Sequence, residues 1–110
     1  MSAIYITFGK NTNIMHIGQT IRKLRKEKLK ELNQGEFAVK AGITQSYLSL
    51  LERGHKEPSP TTLKKIAEVL DIPLAVIFWY GLEEKDIQPE KLELFKQVKP
   101  IIDEMIRSIA

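Results

Sequence analysis

A chain of 110 residues, 43% of them apolar and none of them cysteine, has room for one domain with its own core and a small addition, and it has neither a disulfide framework nor a thiolate metal site. Its net charge of +3 is unevenly placed: residues 17–70 hold 11 Lys/Arg against 6 Asp/Glu, and residues 71–110 hold 5 against 8, so the first part suits a polyanion. The longest apolar run, residues 72–80 with Pro73 inside it, is too short to span a membrane, and Lys10 and Asn11 interrupt the early apolar stretch, so no signal peptide is read and a cytoplasmic location is expected.

Residues 1–16 form the first segment. Ile4, Ile6 and Phe8 alternate with Tyr5 and Thr7, which predicts a short extended arm. A lone strand needs a partner. It pairs with its copy in a dimer, or lies extended, or precedes a natural start at Met15; the residues leave these open. One Lys and no Arg argue against an arm that enters a DNA groove.

Residues 17–81 form the second segment, opening with a helix from Ile17 to about Leu32. Ile17, Ile21, Leu24 and Leu29 make one face, with Arg22, Lys23, Lys26 and Lys30 around the rest. Two short helices follow, about Gln34 to Ala41 and Gln45 to Arg53. Gly42 sits at their bend, where a positive φ is wanted. Ala38 and Ala41 allow a close crossing, Phe37, Ile43, Leu48 and Leu51 lock it, and Thr44 is placed to cap the second helix. Gly35, in the first turn of the former helix, is a poor helix former at an unusual place.

The run of Gln34, Phe37-Ala38, Ala41-Gly42-Ile43, Gln45, Leu48 and Leu51 resembles the helix-turn-helix of the lambda repressor/Cro (XRE) family of transcriptional regulators. The resemblance spans about residues 17–80. It implies an all-α fold: a five-helix lambda-repressor-like DNA-binding domain, here with an added C-terminal helix and the N-terminal arm. It also implies that Asn33 and Gln34 clamp a phosphate at a helix N-terminus, and that Arg25 and Glu52 form a structural ion pair. Two departures stand out. The family's glycine at the end of the first helix is replaced by LKEL, about two residues longer, so either the helix runs on by part of a turn or a looser loop follows. Leu50 stands where the family often has a long polar residue that reads a base.

Helical geometry alone separates the faces of the second short helix. Stepping about 100° per residue from Gln45, Leu48 and Leu51 mark a buried side near 270°, and Ser46, Ser49, Leu50 and Arg53 gather near 90°. Gln45 stands at the exposed N-terminal end. A polar face with an open N-terminus suits the major groove, where Gln45 can pair bidentately with adenine and Leu50 can touch a thymine methyl or contact nothing. Ser46 and Ser49 suit base edges or phosphates, while Arg53 and Lys56 suit phosphates. Tyr47 lies beside the core, with its hydroxyl reaching backbone or phosphate. The candidate DNA-binding set is thus Asn33, Gln34, Thr44, Gln45, Ser46, Tyr47, Ser49, Leu50, Arg53 and Lys56.

Pro58 and Pro60 enforce a loop. Ser59 or Pro60 opens a fourth helix, with Leu63, Ile66, Ala67 and Leu70 inward. Ile72-Pro73 ends it and starts a fifth, whose Leu74, Ile77 and Phe78 close the core. Residues 82–110 form the third segment, an acidic connector and a helix opened by Pro89. That helix carries one apolar stripe of Leu92, Phe95, Val98, Ile102, Met105, Ile106 and Ile109, with Pro100 breaking or kinking it. The stripe either folds back on its own domain or, as favoured here, packs against a second copy.

No catalytic set, phosphate loop or metal-ligand cluster is present, and His16 and His55 are 39 positions apart, so neither an enzyme nor a cofactor is expected. The reading is a dimeric, sequence-specific repressor on a palindromic double-stranded operator. The alternative is an antitoxin or controller protein that represses its own operon and grips a toxin or other protein through the C-terminal region. A protein-interaction module without DNA would show an acidic or apolar face in place of the polar one.

Overall fold

A computed structural model describes residues 16–109 of the chain. The expected arm lies outside the described residues. The described elements are α1 (Ile17–Lys28), α2 (Gln34–Ala41), α3 (Gln45–Glu52), α4 (Pro60–Leu70), α5 (Leu74–Gly81), a 3-10 turn (Glu84–Asp86) and α6 (Pro89–Ile109), with no strand among the described residues. They fall into two compact units, His16–Gly81 and the chain from Leu82 onward.

Local chemistry sets the boundaries in the first unit. Asn33 and Glu36 form a capping box: the Glu36 amide donates to Asn33 Oδ1 (2.8 Å), and the Asn33 amide donates to Glu36 Oε1 (3.0 Å). This box pins the start of α2, so the preceding chain must turn. Hence α1 stops at Lys28 instead of continuing to about Leu32. Leu29 leaves the helical region at φ −126°, ψ 61°, and sits half-buried at the cap, not on the core face. Gly42, at φ 73°, ends α2; its amide donates to Val39 and that of Ile43 to Ala38, closing the last carbonyls. Thr44 Oγ1 accepts from the Tyr47 amide (3.0 Å) and starts α3. Gly54, at φ 79°, ends it in the same way, with Gly54 donating to Leu51 and His55 to Leu50. Ser59 caps α4 with Pro60 in the first turn.

The core follows from these directions. α1 packs on α3, α4 and α5, α2 packs on α3 and α4, and α4 packs on α5. Ile21, Phe37, Leu48, Leu51, Ile66, Leu70 and Ile77 are fully buried. Each contributes about 1.5–3 kcal/mol relative to exposure. Ala38 and Ala41 are buried at the crossing. In α5 the buried apolar side chains are Val76 and Ile77, while Leu74 and Phe78 are only half-buried. At about 100° per residue, Val76 and Ile77 share one side of the helix, and Leu74 and Phe78 lie off it.

In the second unit, the Glu83 amide donates to Asp86 Oδ2 (2.9 Å), and α6 runs unbroken through Pro100. Pro100 removes one amide from the helical ladder without ending the helix. The helix has two apolar faces in place of the single expected stripe, and Leu94 and Ile101 of the second lie outside that stripe. Phe95 and Ile106 are buried, while Leu94, Ile101, Met105 and Ile109 are exposed. At about 100° per residue these four lie within about 80° of one another, and Phe95 and Ile106 point about 90° away. Leu92, Val98 and Ile102 are half-buried.

Candidate nucleic-acid interface

α1 and α3 approach unusually closely because Gly18 has no side chain. A Cβ there would lie 1.8 Å from the Leu51 carbonyl oxygen. The approach brings Arg25 of α1 against Glu52 at the end of α3. Arg25 Nε donates to Glu52 Oε2 (2.8 Å) and Nη2 donates to Oε1 (2.9 Å), a bidentate pair with both residues buried. Burying one such charge alone would be costly, so the pair holds the two helices as a unit.

The pair also reaches the surface. Gln34 Nε2 donates to Glu52 Oε1 (3.0 Å), and Gln45 Nε2 donates to Gln34 Oε1 (3.4 Å). A run of four side chains thus leads from a buried guanidinium to an exposed amide at the N-terminus of α3. Gln45 spends one N–H on Gln34, which leaves an acceptor and a donor, the complement of an adenine edge in the major groove. The amide lies over Gly35, where a Cβ would stand 3.1 Å from Gln45 Oε1, so the odd glycine makes room for it.

The other sequence-predicted residues gather around this amide to different degrees. Asn33, Thr44, Gln45, Ser46, Arg53 and Lys56 are exposed, whereas Gln34, Tyr47, Ser49 and Leu50 are half-buried. Asn33 Oδ1 and its amide are engaged by Glu36, so at the α2 N-terminus the amides of Gln34 and Gly35 are the donors an anion would use. Arg53 Nε donates to the Ser49 carbonyl (3.4 Å). Sequence reasoning missed the Gln34–Gln45 bridge and the purposes of Gly18 and Gly35. Gly35 was visible as a rule-breaking residue, while Gly18 carried no signal.

The helix-turn-helix family model matches residues 21–77, just over half of the chain. The chain belongs to the helix-turn-helix family. Among relatives, it is similar to the HTH-type transcriptional regulator SlrR of Bacillus subtilis, 44% identical over 63 residues, covering 56% of this chain and 40% of that one. It is also similar to the immunity repressor protein of Bacillus phage phi105, 33% identical over 97 residues, covering 77% of this chain and 66% of that one. The chain therefore spans less than two thirds of these relatives' lengths. Among solved structures, the biofilm master regulator SinR in complex with DNA is 42% identical, covers 56% of this chain and 95% of that chain, and superposes with a TM-score of 0.51. The first unit has the lambda-repressor-like fold of these helix-turn-helix regulators. Among the described residues no helix is long and apolar enough to cross a membrane, and no group of three His, Cys, Asp or Glu side chains could hold a metal ion.

Proposed function

We propose that this protein is a sequence-specific double-stranded DNA-binding transcriptional regulator, a repressor that acts as a dimer in the cytoplasm. The observation that carries the reading is the hydrogen-bonded run from the buried Arg25–Glu52 pair through Gln34 to the exposed Gln45 amide. It pre-orients one amide at the open end of a helix slim enough for the major groove. Gln45 reads a base, Ser46 and Ser49 lie along the same groove, and Arg53 and Lys56 neutralise phosphates. That a relative with 42% identity is solved on DNA supports the same use of this fold.

The C-terminal unit supports two-fold pairing. The exposed face Leu94, Ile101, Met105 and Ile109 is the one a second copy would cover; of the predicted stripe only Met105 and Ile109 belong to it, and Leu92, Phe95, Val98, Ile102 and Ile106 are already buried or half-buried. A dimer would set two recognition helices about 34–36 Å apart, on successive major grooves of a palindromic operator. A protein partner seated on that face in place of a second copy is the alternative outcome.

The experiment is selection of a preferred site from random duplexes, followed by titration of variants. Gln45→Ala loses about 1–3 kcal/mol on the selected site and relaxes preference at one base pair. Arg53→Ala weakens all sequences evenly and lowers the salt slope by roughly one. No enrichment of any duplex, or a Gln45→Ala protein with unchanged preference, overturns the assignment.

A further inference from the structure

The outer face of α1 and the end of α3 enclose a cleft of about 610 Å³ within the first unit. Its walls are Gln19, Arg22, Lys23, Lys26 and Glu27 from α1, with Glu52 and Arg53 opposite. Arg22, Lys23, Lys26 and Arg53 are all exposed, against a single exposed carboxylate, Glu27. Glu52 gives the cleft no available negative charge, because its two oxygens are held by Arg25 and Gln34. Among the described residues no ion pair engages Arg22, Lys23 or Lys26. Four like charges around one concavity repel each other and raise the local potential, an arrangement that an anion relieves.

We propose that this cleft is a second phosphate grip, taking a backbone phosphodiester of the DNA beside the groove that α3 occupies. Its occupant follows from continuity. Arg53 belongs both to the cleft wall and to the end of the recognition helix, and Glu52, at the cleft's edge, is the same carboxylate that anchors Gln34 and Gln45. A duplex seated against Gln45 therefore brings phosphates toward Arg53, and Arg22 and Lys26 extend that track onto α1, one turn apart on one face. The grip positions the protein and carries no sequence information. It rests on the DNA-binding reading above and widens its footprint from two helices to three.

The test is Arg22→Gln combined with Lys26→Gln in the full chain, on the selected duplex across a salt series, with Gln45→Ala alongside. Both substituted side chains are exposed, so the melting temperature stays at the wild-type value. The salt slope falls by roughly one per cation removed, and base preference is unchanged. Wild-type slope and affinity in the double variant, while Gln45→Ala still relaxes preference, overturns the grip and leaves the DNA-binding reading standing. The same unchanged slope, accompanied by lost binding of a poly-glutamate probe, assigns the cleft to an acidic polypeptide and likewise overturns it. An intact chain that binds no duplex overturns both readings together.

Discussion

Gly18 shows how two effects compete at a single position. Gly18 lies in the first turn of α1, where alanine is still the better helix former, though by less than the roughly 1 kcal/mol of a helix interior. Yet a methyl group there would stand 1.8 Å from the Leu51 backbone oxygen, and no rotamer change can relieve a Cβ against backbone. The clash wins. Gly18→Ala is expected to cost about 3 kcal/mol net of propensity, read as a lower urea midpoint at unchanged m-value. A variant at or above wild-type stability would mean that α1 and α3 do not meet at this distance. Gly35 has the softer version of this role, since its neighbour is a flexible side chain and not backbone. Gly42 and Gly54 differ from both: they are needed for positive φ, not for space.

The helix pair α2–α3 is held by chemistry that acts at its ends and by packing at its middle. The capping box, the Gly42 turn and the Thr44 cap leave few alternative geometries between the two axes. Ala38 then sets how closely they approach, since it is buried at the crossing. Ala38→Leu is expected to cost about 1–3 kcal/mol by overpacking, seen as a lower thermal midpoint. It would also disturb the Gln34–Gln45 contact, so site preference should weaken with stability. A variant with unchanged midpoint and unchanged binding would place the crossing elsewhere. α6 obeys a different logic. Its Lys99–Asp103 and Arg107–Glu104 pairs lie on one helix at spacings of four and three, and such pairs add only a few tenths of a kcal/mol each. Its stability must come mainly from burial of its apolar faces.

The proposed dimer would be built on that second face of α6. Leu94, Ile101, Met105 and Ile109 are 58–74% exposed, a large apolar area for one helix of a small protein. Ile101→Glu combined with Met105→Glu is expected to leave the fold and half-site contacts intact while converting a dimer into a monomer by light scattering. Cooperative binding to a palindrome is lost with it. A double variant that remains dimeric would assign the interface to another surface. A wild-type chain that stays monomeric at high concentration would assign this face to a different protein.

How much was legible beforehand depended on the range of the interaction. The α2–turn–α3 boundaries, the caps, the Gly42 turn and the inward residues of α4 follow from side-chain type and spacing within a few positions, and the structure places them there. The polar face of α3 was likewise legible, because helical periodicity separates Gln45, Ser46 and Arg53 from Leu48 and Leu51. The end of α1 was left between a longer helix and a looser loop; the loop is what forms, with the Asn33–Glu36 box fixing where α2 begins. The exposed face of α6 was only half found: the stripe held Met105 and Ile109 but not Leu94 and Ile101, because periodicity counts apolar residues without knowing which of them find cover. Gly18, the Gln34–Gln45 bridge and the meeting of Arg22 and Lys26 with Arg53 were beyond reach. Each joins positions 11 or more apart in the chain, and only the packing of α1 and α2 against α3 brings them to one place.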